Sequence, residues 1–153
     1  VKEASFDRKL SIAVHQKLGH NSIISTPDEW IFFESGQLGF QQRVMFANTS
    51  DWRFDTPEKN HYVNFINRAT VGDVDRVYYD THIRPIKKIS DKWWQYTAKK
   101  FGGAIPVSMC KYWGELMGMK HGHVRPPLGE LSTSEKFNLR SDIEAIVGRS
   151  VVG

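Results

Sequence analysis

The sequence predicts an α/β chain, and three observations carry that expectation. Short apolar runs alternate with amphipathic stretches through the first third of the chain. The connections between them are short. The remainder is a succession of amphipathic segments with caps and breakers at the joins. Strand and helix alternating over short connections is the signature of a parallel sheet.

Each element has its own signal. Ser5 is placed to cap a helix whose apolar positions include Leu10, Ala13, Val14 and Leu18, and Gly19 stops it. Ser22-Ile23-Ile24-Ser25 forms a short buried strand. Pro27 suits the first turn of a new helix, with Asp28 and Glu29 favoured near its N-terminal dipole. Trp30, Ile31, Phe32 and Phe33 crowd that helix, and Gly36 ends it. Val44-Met45-Phe46 is the next strand. Thr56-Pro57-Glu58 then supplies a cap and a first-turn proline, followed by Tyr62, Phe65, Ile66 and Ala69 at helical spacing. Asp73 opens a further helix with Val74, Val77, Tyr78 and Thr81 on one face, and Pro85 kinks or ends it. After the Gly102-Gly103 break, Pro106 begins a helix striped by Met109, Tyr112, Trp113, Leu116 and Met117, and Gly118 ends it. Ser132 and Glu135 have capping-box spacing ahead of Leu139, Ile143, Ile146 and Val147. Three strands cannot close a barrel, and a parallel sheet needs cover on both faces. The strand part is therefore expected to be incomplete.

Composition narrows the classes. The chain has 153 residues, 40% apolar and 25% charged, which is a globular composition. No apolar run approaches the roughly 20 residues of a membrane helix, and the start has no basic-then-apolar signal pattern. Val1 is not Met, which fits a fragment or a processed chain. One cysteine, Cys110, excludes an internal disulfide and a Cys-rich zinc site, and a cytoplasmic setting is the expectation. The 21 basic and 17 acidic residues leave a net charge of +4, but the basic residues are scattered. Lys87-Lys88 and Lys99-Lys100 are the densest cluster, so no nucleic-acid stripe is present.

Lys2 is the sharpest candidate for chemistry. A desolvated lysine amine attacks a ketone to form an imine, and the protonated imine is an electron sink for breaking or making the adjacent C–C bond. Taken alone, a lysine beside a terminus is a solvated charge. A set of short motifs changes that weighting. Val1-Lys2-Glu3-Ala4-Ser5 resembles the strand-six motif of the dihydrodipicolinate synthase / N-acetylneuraminate lyase family. Ile23-Ile24-Ser25 stands where that family has its strand-seven segment. Gln37-Leu38-Gly39 and Arg43-Val44-Met45 stand where it has strand eight. Ile105-Pro106-Val107 and Val124-Arg125-Pro126-Pro127-Leu128 resemble its terminal signature. The order and intervals agree from Lys2 to about Leu131.

The resemblance implies the C-terminal half of a (β/α)₈ TIM barrel with a helical extension. Residues 1–55 would hold the last barrel strands and helices, strands six to eight. Residues 56–153 would hold the final barrel helix and the C-terminal helical region. It implies a lyase that forms a Schiff base between Lys2 and pyruvate or a related 2-oxo acid. Aldol cleavage, condensation or dehydration would follow with no cofactor and no metal, in a homotetramer. The backbone near Val44 would line the pocket. Arg43, at a position normally small or aliphatic in the family, pairs with a distal substrate carboxylate or else is an outward surface charge. Arg125 is expected to pin the tail. Thr26-Pro27-Asp28 and Ser108 also depart from the family pattern and place dihydrodipicolinate synthase itself in doubt. The family's carboxylate-binding loop and its proton-shuttling tyrosine lie upstream of the lysine. The expected partners are thus the 2-oxo acid and the missing N-terminal half of the barrel, and the chain alone is expected to be inactive and prone to aggregate through unpaired strand edges.

Other features take plainer readings. Trp93, Trp94 and Tyr96 are helix packing or a subunit contact. His121-Gly122-His123 matches no zinc spacing. Cys110 is a small buried residue. Two rival functions remain open: a non-catalytic, family-like binding or regulatory protein, and a small helical interaction domain. The second would present Tyr112, Trp113, Leu116 and Met117 to a partner and fold cooperatively alone.

Overall fold

The computed structural model describes residues 1–45, 54–56 and 58–148. Among these described residues there are seven α-helices: α1 (Arg8–Leu18), α2 (Trp30–Glu34), α3 (His61–Thr70), α4 (Arg76–His82), α5 (Arg84–Lys100), α6 (Val107–Leu116) and α7 (Thr133–Val147). The expected portion of a (β/α)₈ barrel is not formed. Among the described residues there is no sheet, only an isolated parallel bridge of Lys2 with Ser25 and an antiparallel one of Thr56 with Lys59.

Local chemistry explains the missing strands. The parallel bridge has two backbone bonds, from Glu3 N–H to the Ser25 carbonyl (2.8 Å) and from Ser25 N–H to the Val1 carbonyl (2.9 Å). It cannot extend on one side because Pro27 has no N–H to give. On the other strand the chain turns at Phe6, whose φ is 59°. The third strand is replaced by one side chain. Gln42 accepts from Thr26 N–H (2.7 Å) and donates to the Thr26 carbonyl (3.0 Å), occupying both groups that a neighbouring strand would use. Val44 and Met45 are accordingly outside any strand. Phe46 and Pro57 lie outside the described residues.

Several helix boundaries move for the same kind of reason. Asp7, not Ser5, caps α1, accepting from Lys9 and Leu10 N–H. Asp55 accepts from the N–H groups of Tyr62 and Val63 at 2.8 and 2.9 Å, so the first turn of α3 is served by a carboxylate rather than by Thr56. Asp75, not Asp73, caps α4. Pro85 marks the end of a helix as expected: α4 stops at His82, and Pro85 sits in the first turn of the next helix, α5, where a missing N–H costs nothing.

One core joins the two ends of the chain. Ile31 and Phe32 of α2 pack with Phe65, Tyr79, Ile83, Met109, Trp113, Leu116, Leu139 and Ile143. The stripe expected as a partner-binding face is therefore largely interior: Trp113 and Leu116 are 0% and 1% exposed. Polar ties fix the helices around it. Tyr62 donates to Glu29 at 2.8 Å, and Asp142 on α7 accepts from Lys92 and from the Trp93 indole of α5.

The capping box of α7 forms as the sequence predicts, and more is built on it. Glu135 N–H donates to Ser132 Oγ, and Ser132 N–H returns a bond to Glu135 Oε2. The same carboxylate accepts from Lys100 Nζ at 2.6 and 2.8 Å and from the Tyr96 hydroxyl at 2.7 Å. Burial by itself would raise its pKa, but these bonds outweigh burial and hold it at about 2, against 4.5 for a free glutamate. A carboxylate depressed in the folded state contributes stability that is complete above about pH 4.5 and is lost as pH falls through about 2. Urea titrations across that window are expected to show wild type losing stability with acid more steeply than Glu135→Gln. Parallel curves for the two proteins would contradict the assignment.

Candidate functional site

The region that brings the candidate residues closest is the N-terminal one, where the bridge, α1 and the 39–43 segment meet. α1 is amphipathic in an unexpected sense. Its buried residues are Ser11 and His15, whereas Leu10 and Leu18 are 49% and 47% exposed. The polar face is turned inward because it has partners there. Glu3 is buried, and its carboxylate accepts from Ser5 N–H (2.8 Å), from the Ser11 hydroxyl and from the Thr26 hydroxyl (3.3 Å). Burial pushes the Glu3 carboxyl up; the hydrogen bonds from Ser11, Ser5 and Thr26 more than reverse this, and it lies below the ordinary glutamate value.

His15 completes the cluster. Its Nε2 is 3.1 Å from Thr26 Oγ1, and its ring stacks on Phe40 with centroids 4.5 Å apart. The Thr26 hydroxyl has one proton, and an ionised Glu3 only accepts, so that proton goes to Glu3. His15 Nε2 must then carry the hydrogen that Thr26 Oγ1 accepts, which assigns the tautomer. Burial lowers the His15 pKa, and the negative charge of Glu3 only partly offsets this. The order is therefore histidine N–H to threonine, threonine O–H to glutamate, with Gln42 locking the threonine backbone from the other side.

Lys2 lies on the bridge beside this cluster and is exposed. Successive residues of an extended strand point to opposite faces. Glu3 faces α1, so Lys2 is carried on the face away from it. Val44 is half-buried and Arg43 is exposed. Arg43 lines a cavity of about 480 Å³ with His15, His20, Phe40 and Gln41; Lys2 does not line it. The structure thus does not bring Lys2 and Arg43 into one cavity. Cys110 is half-buried on α6. Ser11, His15 and Gln42 were not singled out by the sequence, and Thr26 only as a departure from the family pattern, although Ser11 and His15 stand four residues apart on one helical face, the one signal that points to them.

The described residues form a helical fold without a sheet, with a buried, hydrogen-bonded polar cluster beside a short parallel bridge. Comparison with protein-family models, with curated proteins and with solved structures finds no match to the chain. No helix among the described residues is long and apolar enough to cross a membrane.

Proposed function

We propose that the chain carries the imine-forming amine of a Schiff-base lyase acting on pyruvate or a related 2-oxo acid, with Lys2 as the nucleophile. The motif Val1-Lys2-Glu3-Ala4-Ser5 and its resemblance to the dihydrodipicolinate synthase / N-acetylneuraminate lyase family suggest the chemistry. The observation that supports it is the anchoring of Glu3. A buried carboxylate with three donors fixes the strand's facing, so the neighbouring lysine is held on the opposite face.

The Lys2 nitrogen attacks the ketone carbon, the carbinolamine loses water, and the protonated imine accepts the electron pair of an adjacent bond. Aldol cleavage, condensation or dehydration proceeds through the resulting enamine, and hydrolysis returns the free lysine. Lys2 is exposed and so lacks the desolvation that activates a lysine amine. The reading therefore includes a cover: upstream polypeptide that lays a carboxylate-binding loop and a proton-shuttling tyrosine over this face. A cytoplasmic setting accords with a single cysteine.

The test is borohydride reduction with pyruvate on this chain assembled with its upstream polypeptide, followed by intact mass measurement. The expected result is the mass gain of one reduced pyruvate adduct, abolished in Lys2→Arg. An assembled protein that binds pyruvate but gains no mass would overturn the lyase reading in favour of a non-catalytic binding role.

A further inference from the structure

The cavity that Arg43 lines has a charge bias that the Lys2 chemistry does not use. Its volume of about 480 Å³ falls within the usual size of small-molecule sites. Its walls come from the end of α1, the turn through 19–24 and the segment 39–43. Two imidazoles, those of His15 and His20, and one guanidinium face a lining that contains no aspartate or glutamate. Among the described residues Arg43, like Arg76 and Arg125, has no carboxylate partner, whereas Arg8, Arg68, Arg84 and Arg140 are paired with Glu34, Asp73, Asp80 and Glu144.

One feature should oppose an anion here: the C-terminal end of α1, where carbonyl oxygens gather. Two of those oxygens, the carbonyls of His15 and Leu18, are already engaged. Gly19 N–H donates to the His15 carbonyl at 2.9 Å, and Asn21 and Ser22 N–H both donate to the Leu18 carbonyl, at 3.0 and 2.9 Å. The inner wall is firm, because His15 is held by Thr26 on one side and by Phe40 on the other. Ile23, Ile24 and Phe40 add some apolar surface to a lining that is otherwise mostly polar and carries one guanidinium.

We propose that this cavity binds a small organic carboxylate, with the Arg43 guanidinium as its fork-shaped partner and His20 as a second donor. A planar guanidinium matches a carboxylate with two parallel hydrogen bonds. The site lies apart from Lys2, and it stands or falls separately from the lyase reading.

Malonate titrated into the ¹⁵N-labelled chain, against sodium chloride at matched ionic strength, tests this. The imidazole resonances of His15 and His20 are expected to shift saturably with malonate and not with chloride. Arg43→Gln should weaken the malonate affinity by at least about tenfold. Because Arg43 is exposed, circular dichroism of the variant should match wild type; His20→Gln, also at an exposed position, provides a second readout. Shifts that are equal with chloride, or that survive Arg43→Gln unchanged, would overturn the proposal.

Discussion

Replacing Trp113 with alanine is expected to cost about 4 kcal/mol of folding stability, within the range for emptying a buried aromatic site. The indole is fully buried at the centre of the core, on the same helix face as Met109 and Leu116 and in one cluster with Leu139 and Ile143. Truncation removes the transfer free energy of a large aromatic group and leaves a cavity that helices tied elsewhere cannot close. α5 and α7 are pinned to each other by Glu135 with Lys100 and by Asp142 with Lys92, so neither is free to collapse into the space. For a chain of this length the melting temperature should fall by roughly 10–15 °C. Trp113→Phe, which keeps much of the volume, should lose less than half as much. Thermal and urea unfolding measure both. Near-equal stability of Trp113→Ala and wild type would mean that α6 does not sit in the interior.

Replacing Glu3 with alanine is the second large effect, expected at about 2–3 kcal/mol. The loss leaves the Thr26 hydroxyl and the Ser5 N–H without their acceptor. Ser11 keeps a bond to the Asp7 carbonyl at 3.0 Å. The cluster also sets a pH dependence. The folded-state pKa of Glu3 is depressed, so its contribution is present above about 4.5 and is lost as pH falls through the lower folded value. That of His15 is depressed as well, below 6.5, because its buried ring is kept neutral. Its contribution is complete above 6.5 and fades as pH falls through the lowered value. Both losses run in the same direction, so mild acid should destabilise this end of the molecule in two steps. Glu3→Ala should remove the lower one. Amide hydrogen exchange at Ser25 and Thr26, followed against pH, reads the ribbon directly. Protection there that is indifferent to Glu3→Ala would show that the carboxylate does not hold the bridge.

The helical part of the fold was legible wherever apolar periodicity and caps agreed. α6 and α7 follow from the Met109–Leu116 stripe and the Ser132–Glu135 box, and the Gly102-Gly103 break falls where both residues take positive φ, 66° and 89°. The barrel expectation rested on short motifs and short apolar runs, and neither reports what the backbone groups pair with. Gln42 satisfies Thr26 with a side-chain amide, and Pro27 offers no donor, so the ribbon stops at a single bridge. Apolar periodicity also misplaced the inner face of α1. It counts Leu10 and Leu18, whereas the helix buries Ser11 and His15 against Glu3. A polar group with its hydrogen bonds satisfied can occupy an interior position that a hydrophobic count assigns to leucine. Lys2 was visible through its motif alone. The partners that determine its facing were invisible, because they converge from residues 3, 11, 15, 26 and 42 only after folding.

The lysine next to this anchored carboxylate is the proposed amine that condenses with a 2-oxo acid. Peptide mapping of the assembled protein after reduction with pyruvate and borohydride, with every lysine-containing peptide quantified, tests it most directly. The expected outcome is an adduct concentrated on the peptide containing Lys2 and strongly diminished there by Glu3→Ala. An adduct spread evenly over the surface lysines, or one located at another lysine, would contradict it.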